Sequence, residues 1–236
     1  MLPDAVTDLQ SVLRHPAIWR GGALVRADGQ GLPSGYPALD AALPGGGWPQ
    51  GGMTELVLAQ PGSGELSLLQ PALRQLSARR HVLLIAPPQI PYAPAWLAAG
   101  VVLTRLVWVR PRSRDEALWA MEQGLRDPAC GGVLGWLAGA IDDRACRRLQ
   151  LAAQTGSACG FLLRQARSAA QVSSPLALRL AVSPAPDGID VRILKRRGPP
   201  LPHAIRLTPL QADHALARTV PARSAAGRLP ARRHAA

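Results

Sequence analysis

Cysteine is scarce: Cys130, Cys146 and Cys159, an odd number with no Cys-x-x-Cys pair. That excludes a disulfide framework and points to reduced thiols in a cytoplasmic protein. The histidines (His15, His81, His203, His214 and His234) are dispersed and show no metal-ligand spacing, so no metal site is expected. No apolar run approaches the ~20 residues that span a bilayer; the longest, Gly131 to Ile141, is far shorter. A secretory leader is not expected either, because Asp4 and Asp8 stand where a basic start and an apolar run would be. Gly-x-Ser-x-Gly, paired histidines and a Cys/His couple with a sequence logic are all missing, which removes the common nucleophile-based enzymes. Lysine is nearly absent: Lys195 is the only one, so arginine supplies 26 of the 27 basic residues.

What is present suits one domain with tails. The chain has 236 residues, of which 47% are hydrophobic, enough for a large core. The formal charge is +12. Two readings of that charge stay open: an acidic partner, non-specific DNA above all, or a coding bias that also enriches Ala, Gly and Pro. No sequence-reading DNA motif supports specific recognition.

Read in order, Asp4 to Arg14 predicts a short helix with Val6, Leu9 and Leu13 on one face. Trp19 follows, either a packing anchor or an exposed docking residue. Residues 1–33 thus read as an N-terminal helix and linker, 34–208 as the core domain, and 209–236 as a disordered basic tail without periodicity. Within the core, Pro37 to Leu43 is a helical turn. The run Leu43-Pro-Gly-Gly-Gly-Trp-Pro49 is an irregular surface turn, because proline lacks a donor and glycine is entropically costly. Strands are expected at Thr54–Leu58, His81–Ala86, Leu103–Val109, Val133–Leu137 and Gly160–Leu163. Helices are expected at Leu66–Arg80, Pro94–Ala99, Asp115–Arg126 (behind the capping box Ser113–Glu116) and Asp142–Gln154. Pro71 is acceptable only in a first turn. Alternation at Leu176–Val182 and at Ile189, Val191 and Ile193 around Pro186-Asp-Gly188 predicts an antiparallel hairpin at the sheet's edge, with a last strand over Ala204–Leu207. Strands separated by helices give an α/β, three-layer domain. Arg144, Arg147 and Arg148 form a basic helix face, read as either solvated or a contact for a partner or DNA.

The stretch Ser34–Ser67 is the informative one. A strand, a Gly-rich turn and a helix start follow one another there, the layout of a phosphate-binding loop. Such a loop needs Gly-x-x-x-x-Gly-Lys-Ser/Thr: glycines turn backbone N–H groups to the phosphates, Lys neutralises their charge and the hydroxyl holds Mg²⁺. Here Ala59 takes the first Gly position and Gly64 the last, with Gly62 between them. Glu65 takes the Lys position and Leu66 the Ser/Thr position, with Ser67 one residue on. At 4 Å and an effective dielectric near 20 each charge pair is worth about 4 kcal/mol, so reversing the sign removes several kcal/mol of polyphosphate affinity. No Asp closes the strand at Val133-Leu134, and Pro87-Pro88 stands where a catalytic Glu would follow Leu84-Ile85. The site reads as a pseudo-ATPase with no cofactor and no catalytic residue.

These residues resemble the RecA core at Leu39-Asp40, Gly46-Gly-Trp-Pro49 and Gly51-Gly-Met-Thr-Glu-Leu56. Over Trp19 to Pro202 the chain is more closely similar to the ImuA family, RecA/SulA-like proteins of damage-induced mutagenesis. The segments that carry the similarity are Leu43–Pro49, Gly64-Glu-Leu66, Pro87-Pro88 with Pro91-Tyr-Ala-Pro94, Arg147–Ala153, Ser174–Leu180 and Leu194-Lys-Arg-Arg-Gly198. The resemblance implies a RecA-like three-layer core with a degenerate phosphate loop. It also implies a non-catalytic adaptor role in SOS-induced translesion DNA synthesis, in a mutasome with an ImuB-like polymerase-related protein and an error-prone C-family polymerase. RecA itself, non-specific DNA and a second copy of the chain are further partners to test; nucleoid association follows when the complex is engaged. Only Arg164 to Ser174 is left for a mobile DNA-binding loop. Lys195, Arg196 and Arg197 stand where RecA carries basic residues that reach a neighbour's nucleotide; here they would meet a protein acid, such as a neighbour's Glu65, or solvent. Trp48 and the tail residues Arg223, Arg228, Arg232 and Arg233 complete the set of candidate partner or DNA contacts. The alternatives are a SulA-like cell division inhibitor and an ATP-dependent DNA repair protein.

Overall fold

The computed structural model describes residues 31–139, 141–165 and 174–208. The expected helix at Asp4–Arg14, Trp19, most of the Arg164–Ser174 stretch, and the tail with Arg223, Arg228, Arg232 and Arg233 lie outside these residues. The described elements run in chain order as α1 (Pro37–Asp40), β1 (Gly52–Leu58), α2 (Glu65–Ser77), β2 (His81–Ile85), α3 (Ala93–Ala98), a 3-10 turn (Leu103–Arg105) and β3 (Leu106–Val109). Next come α4 (Arg114–Arg126), β4 (Cys130–Trp136), α5 (Asp143–Gly156), β5 (Cys159–Gln165), β6 (Leu178–Ala185), β7 (Gly188–Lys195) and β8 (Ile205–Leu207).

These strands form one 8-stranded sheet in the order β3-β2-β4-β5-β1-β6-β7-β8. The pairings from β3 through β6 are parallel, and β6-β7 and β7-β8 are antiparallel. β1 therefore sits inside the sheet with β5 and β6 as neighbours, and all of its residues are buried. Alternation along β1 divides the core. Leu56 and Leu58 pack in one cluster with Leu68, Leu69, Leu73 and Leu76 of α2. Met53 packs in the other with Met121 and Leu125 of α4 and Leu149 of α5. The fold is thus mixed α/β in three layers, with a mostly parallel sheet covered on both faces.

Local chemistry sets the ends of the helices. Ser113 Oγ accepts from Glu116 N at 3.1 Å to start α4, as the capping box predicts, although Glu116 Oε2 reaches back to Arg112 N at 2.6 Å instead of to Ser113. Asp142 Oδ1 accepts from Ala145 N at 2.6 Å to start α5. Proline within α2 is the larger departure from expectation. Pro71 lies inside the helix and not in its first turn, and its missing N–H orphans the carbonyl of Ser67 four residues back. The hydroxyl of Tyr36, buried beside α1, donates to that carbonyl at 3.0 Å. A side chain from outside the helix thereby replaces the lost bond.

Several expectations need correction. Trp48 is fully buried, with its ring edge-on to Phe161 at 5.4 Å between centroids. It is a core residue and not a partner contact; the turn 43–49 is irregular but not superficial, since Leu43 is also fully buried. Trp48 anchors the turn by bridging to Leu32. The hairpin β6-β7 is not the edge of the sheet: β6 pairs with β1 and β7 with β8. The expected strand at Leu103 begins only at Leu106, after the 3-10 turn. Arg164, read as the start of a loop, belongs to β5 and is buried.

Candidate functional site

The corner from β1 into α2 carries the stretch whose sequence reads as a degenerate phosphate loop. Ala59, Gln60, Pro61 and Gly62 are exposed, whereas Ser63 and Glu65 are buried. Ser63 Oγ donates to Gln60 O at 2.6 Å and closes the turn. Gly62 and Gly64 have φ of 79° and 95°, the left-handed region that glycine tolerates best. Gly64 has a second constraint: a Cβ there would lie 2.2 Å from Cγ2 of Ile189 in β7. Packing against the hairpin therefore requires glycine at position 64, independently of any phosphate.

Glu65 does not point into solvent from the Lys position. Its side chain is folded back into the loop, and Oε1 accepts from Gly62 N at 3.0 Å. A loop N–H of the kind that would receive a phosphate oxygen is taken by the protein's own carboxylate. Leu66 is partly exposed and lines an apolar groove with Ser67, while no residue among 59–67 supplies a cation. The groove, of about 420 Å³, runs between this corner and the loop after β2, with Trp96 and Trp136 among its lining residues. Ala86, at φ 52°, turns the chain out of β2 into the Pro87-Pro88 wall.

One charged site was not anticipated. Glu55, in the middle of β1, is fully buried; its Oε1 accepts from Arg164 Nη1 at 2.8 Å and its Oε2 from Arg179 Nε at 2.7 Å. Arg164 also donates from Nε and Nη2 to Gly139 O at 3.1 and 2.8 Å. This Arg–Glu–Arg bridge ties β5, β1 and β6 together on the α4/α5 face. Its polar atoms are engaged with one another, so it reads as structural.

The other sequence candidates scatter. Arg144 and Arg147 are exposed on α5. Arg148 instead turns to Glu122 of α4, its Nε donating to Oε2 at 3.0 Å, so its charge is used within the fold. Lys195 Nζ donates to Ser174 O at 3.2 Å. Arg196 Nε donates to Pro199 O at 2.8 Å, and its Nη1 donates to Ala42 O, so Arg196 is held inward and not presented to a neighbour's Glu65. Arg197 is exposed. Burial pushes all three thiols up, Cys130 and Cys146 to about 11 and Cys159 to about 12, so they are protonated and unreactive near neutrality. Among the described residues no cluster of His, Cys, Asp and Glu could hold a metal ion, and no helix is long and apolar enough to cross a membrane.

The family described as "Cell division inhibitor SulA" matches residues 51–160, from the start of β1 to the start of β5, and so includes the corner and the groove. Protein ImuA of Caulobacter vibrioides is 31% identical over 140 residues, 57% of this chain and 57% of that one. Cell division inhibitor SulA of Yersinia pestis is 37% identical over 98 residues, 41% of this chain and 58% of that one. The crystal structure of SulA from Pseudomonas aeruginosa aligns with a TM-score of 0.42 at 30% identity, covering 48% of this chain and 98% of that one. The chain spans 57% of the length of the ImuA relative it matches. The chain is thus similar to ImuA proteins over 57% of its length and carries a segment that matches the SulA family.

Proposed function

We propose that this protein is a non-catalytic, RecA-like accessory protein of SOS-induced mutagenic translesion DNA synthesis. In this reading it is an adaptor in a mutasome with an ImuB-like protein and an error-prone C-family polymerase. The RecA-like assignment draws support from a phosphate-loop corner that follows a strand inside a parallel sheet, at the carboxyl ends where such sheets bind ligands. The observation that carries the non-catalytic part is the bond from Gly62 N to Glu65 Oε1. An internal anion occupies a phosphate donor, in a corner where Lys, the Mg²⁺ hydroxyl and the downstream acids are all replaced. The test is genetic and biochemical: deletion is expected to abolish damage-induced mutagenesis, and a tagged chain is expected to capture the ImuB-like protein and the polymerase after damage. Unchanged induced mutagenesis in the deletion strain would overturn the reading.

A second reading, a SulA-like division inhibitor, is favoured by the match over residues 51–160. Filamentation on overexpression, with induced mutagenesis unaffected, would establish it in place of the first. An ATP-dependent repair protein, the enzyme reading, requires saturable Mg-ATP binding.

A further inference from the structure

The groove beside the corner retains binding features that loss of phosphate chemistry leaves unexplained. Its volume of about 420 Å³ falls in the range of ligand sites. Pro87 and Pro88 form one wall and Trp96 is buried at the groove. Ile90 and Tyr92 stand at the groove with 77% and 69% exposure and extend its apolar lining. Two residues that line it each carry a buried polar atom with no hydrogen-bond partner among the described residues: Glu65 Oε2, an acceptor, and Trp136 Nε1, a donor. Glu65 itself is only 4% exposed. Buried polar atoms are normally paired, and an acceptor and a donor left over in one apolar groove together specify what complements them.

Among the described residues that line the groove, Glu65 is the one charged side chain. A lone carboxylate disfavours phosphates and carboxylates and favours a cation. Trp136 Nε1 can only donate, so it needs a carbonyl or a similar acceptor. Prolines and aromatic rings give a stiff apolar surface of the kind that accepts extended, proline-containing segments. We propose that the groove docks an extended peptide of a partner protein. In that peptide, apolar residues with proline among them precede an arginine or lysine; the basic side chain donates to Glu65 Oε2, and a peptide carbonyl accepts from Trp136 Nε1. This rests on the reading of the corner as one that no longer takes a nucleotide.

The test uses the full chain and a fluorescein-labelled peptide, Leu-Pro-Leu-Pro-Ala-Arg, with a control peptide ending in Glu, read by fluorescence anisotropy. The Arg peptide is expected to bind saturably and at least about tenfold more tightly than the Glu peptide. Glu65→Gln keeps an oxygen for Gly62 N and removes the charge, so it should weaken the Arg peptide by about tenfold and level the two. Trp136→Phe keeps most of the ring and removes the donor; it should weaken both peptides several-fold. No saturable binding, equal binding of both peptides, or insensitivity to both variants overturns the proposal. A concentration-dependent dimer that Glu65→Gln dissolves, with no peptide bound, overturns it in favour of a second copy. Mg-ATP in a parallel arm separates the two readings: displacement of the probe by Mg-ATP defeats the nucleotide-free corner, whereas absence of both ligands defeats only the peptide.

Discussion

Gly64→Ala should destabilise the fold without any nucleotide being involved. The backbone at Gly64 has φ of 95°, and an added Cβ would stand 2.2 Å from Ile189 Cγ2, far inside the ~3.5–4.0 Å of a normal carbon contact. Left-handed backbone costs an L-residue about 1–2 kcal/mol, and overpacking a well-filled site costs about 1–3 kcal/mol. The expected loss is therefore about 2–5 kcal/mol, a large share of the ~5–15 kcal/mol that holds a typical domain together. Equilibrium urea unfolding followed by far-UV circular dichroism measures it. Ile189→Ala supplies the control: it costs about 2–5 kcal/mol alone, but in its background the Cβ has room and Gly64→Ala should cost only the ~1–2 kcal/mol of backbone strain. A cost below about 0.5 kcal/mol in the wild-type background, or the same cost in both backgrounds, would refute the packing explanation.

Three further outcomes follow from the same structure. Glu55→Gln, which strips the carboxylate from Arg164 and Arg179, should cost about 3–5 kcal/mol in urea unfolding, while joint replacement of all three residues by Leu, Met and Met should recover most of that. Tyr36→Phe leaves Ser67 O unpaired and should cost about 1–3 kcal/mol; in a Pro71→Ala background, where residue 71 regains its N–H, the cost should shrink. The buried thiols are raised to about 11, 11 and 12. Below the ordinary thiol pKa both states are protonated and stability is fully present. Above it the unfolded chain loses protons first, so stability should fall from about pH 8.5 up through the folded values. The urea midpoint against pH, with slow thiol modification of the native protein at pH 8, checks this.

Much of the layering was legible. Apolar runs at Val82–Ile85 and Val133–Leu134 mark covered parallel strands, and Ser113 and Asp142 mark helix starts, because caps and burial are local signals. Strand order was not, since it depends on which covered strands meet across the sheet. Pro71 misled because its compensation comes from Tyr36, 31 positions from the carbonyl that needs it. Trp48 looked superficial because glycine and proline around it signal a turn, and a turn can still bury its anchor. Glu55 was missed although a signal existed: a carboxylate inside a strand read as buried must have a partner, and Arg164 and Arg179 lay in or beside strands expected nearby. At the corner, Glu65 at the position where a phosphate loop carries Lys was visible in the sequence. Its folding back onto Gly62 N was not, because that depends on a rotamer and a loop shape that spacing does not fix.

The most direct test of the central claim is a calorimetric titration of the purified full-length chain with Mg-ATP, repeated with Glu65→Lys. With the Glu65 carboxylate bonded to Gly62 N, the expected result for the wild-type chain is no saturable heat up to millimolar nucleotide. Saturable Mg-ATP binding by the wild-type protein in the micromolar range, lost rather than gained when Glu65 becomes Lys, would contradict it.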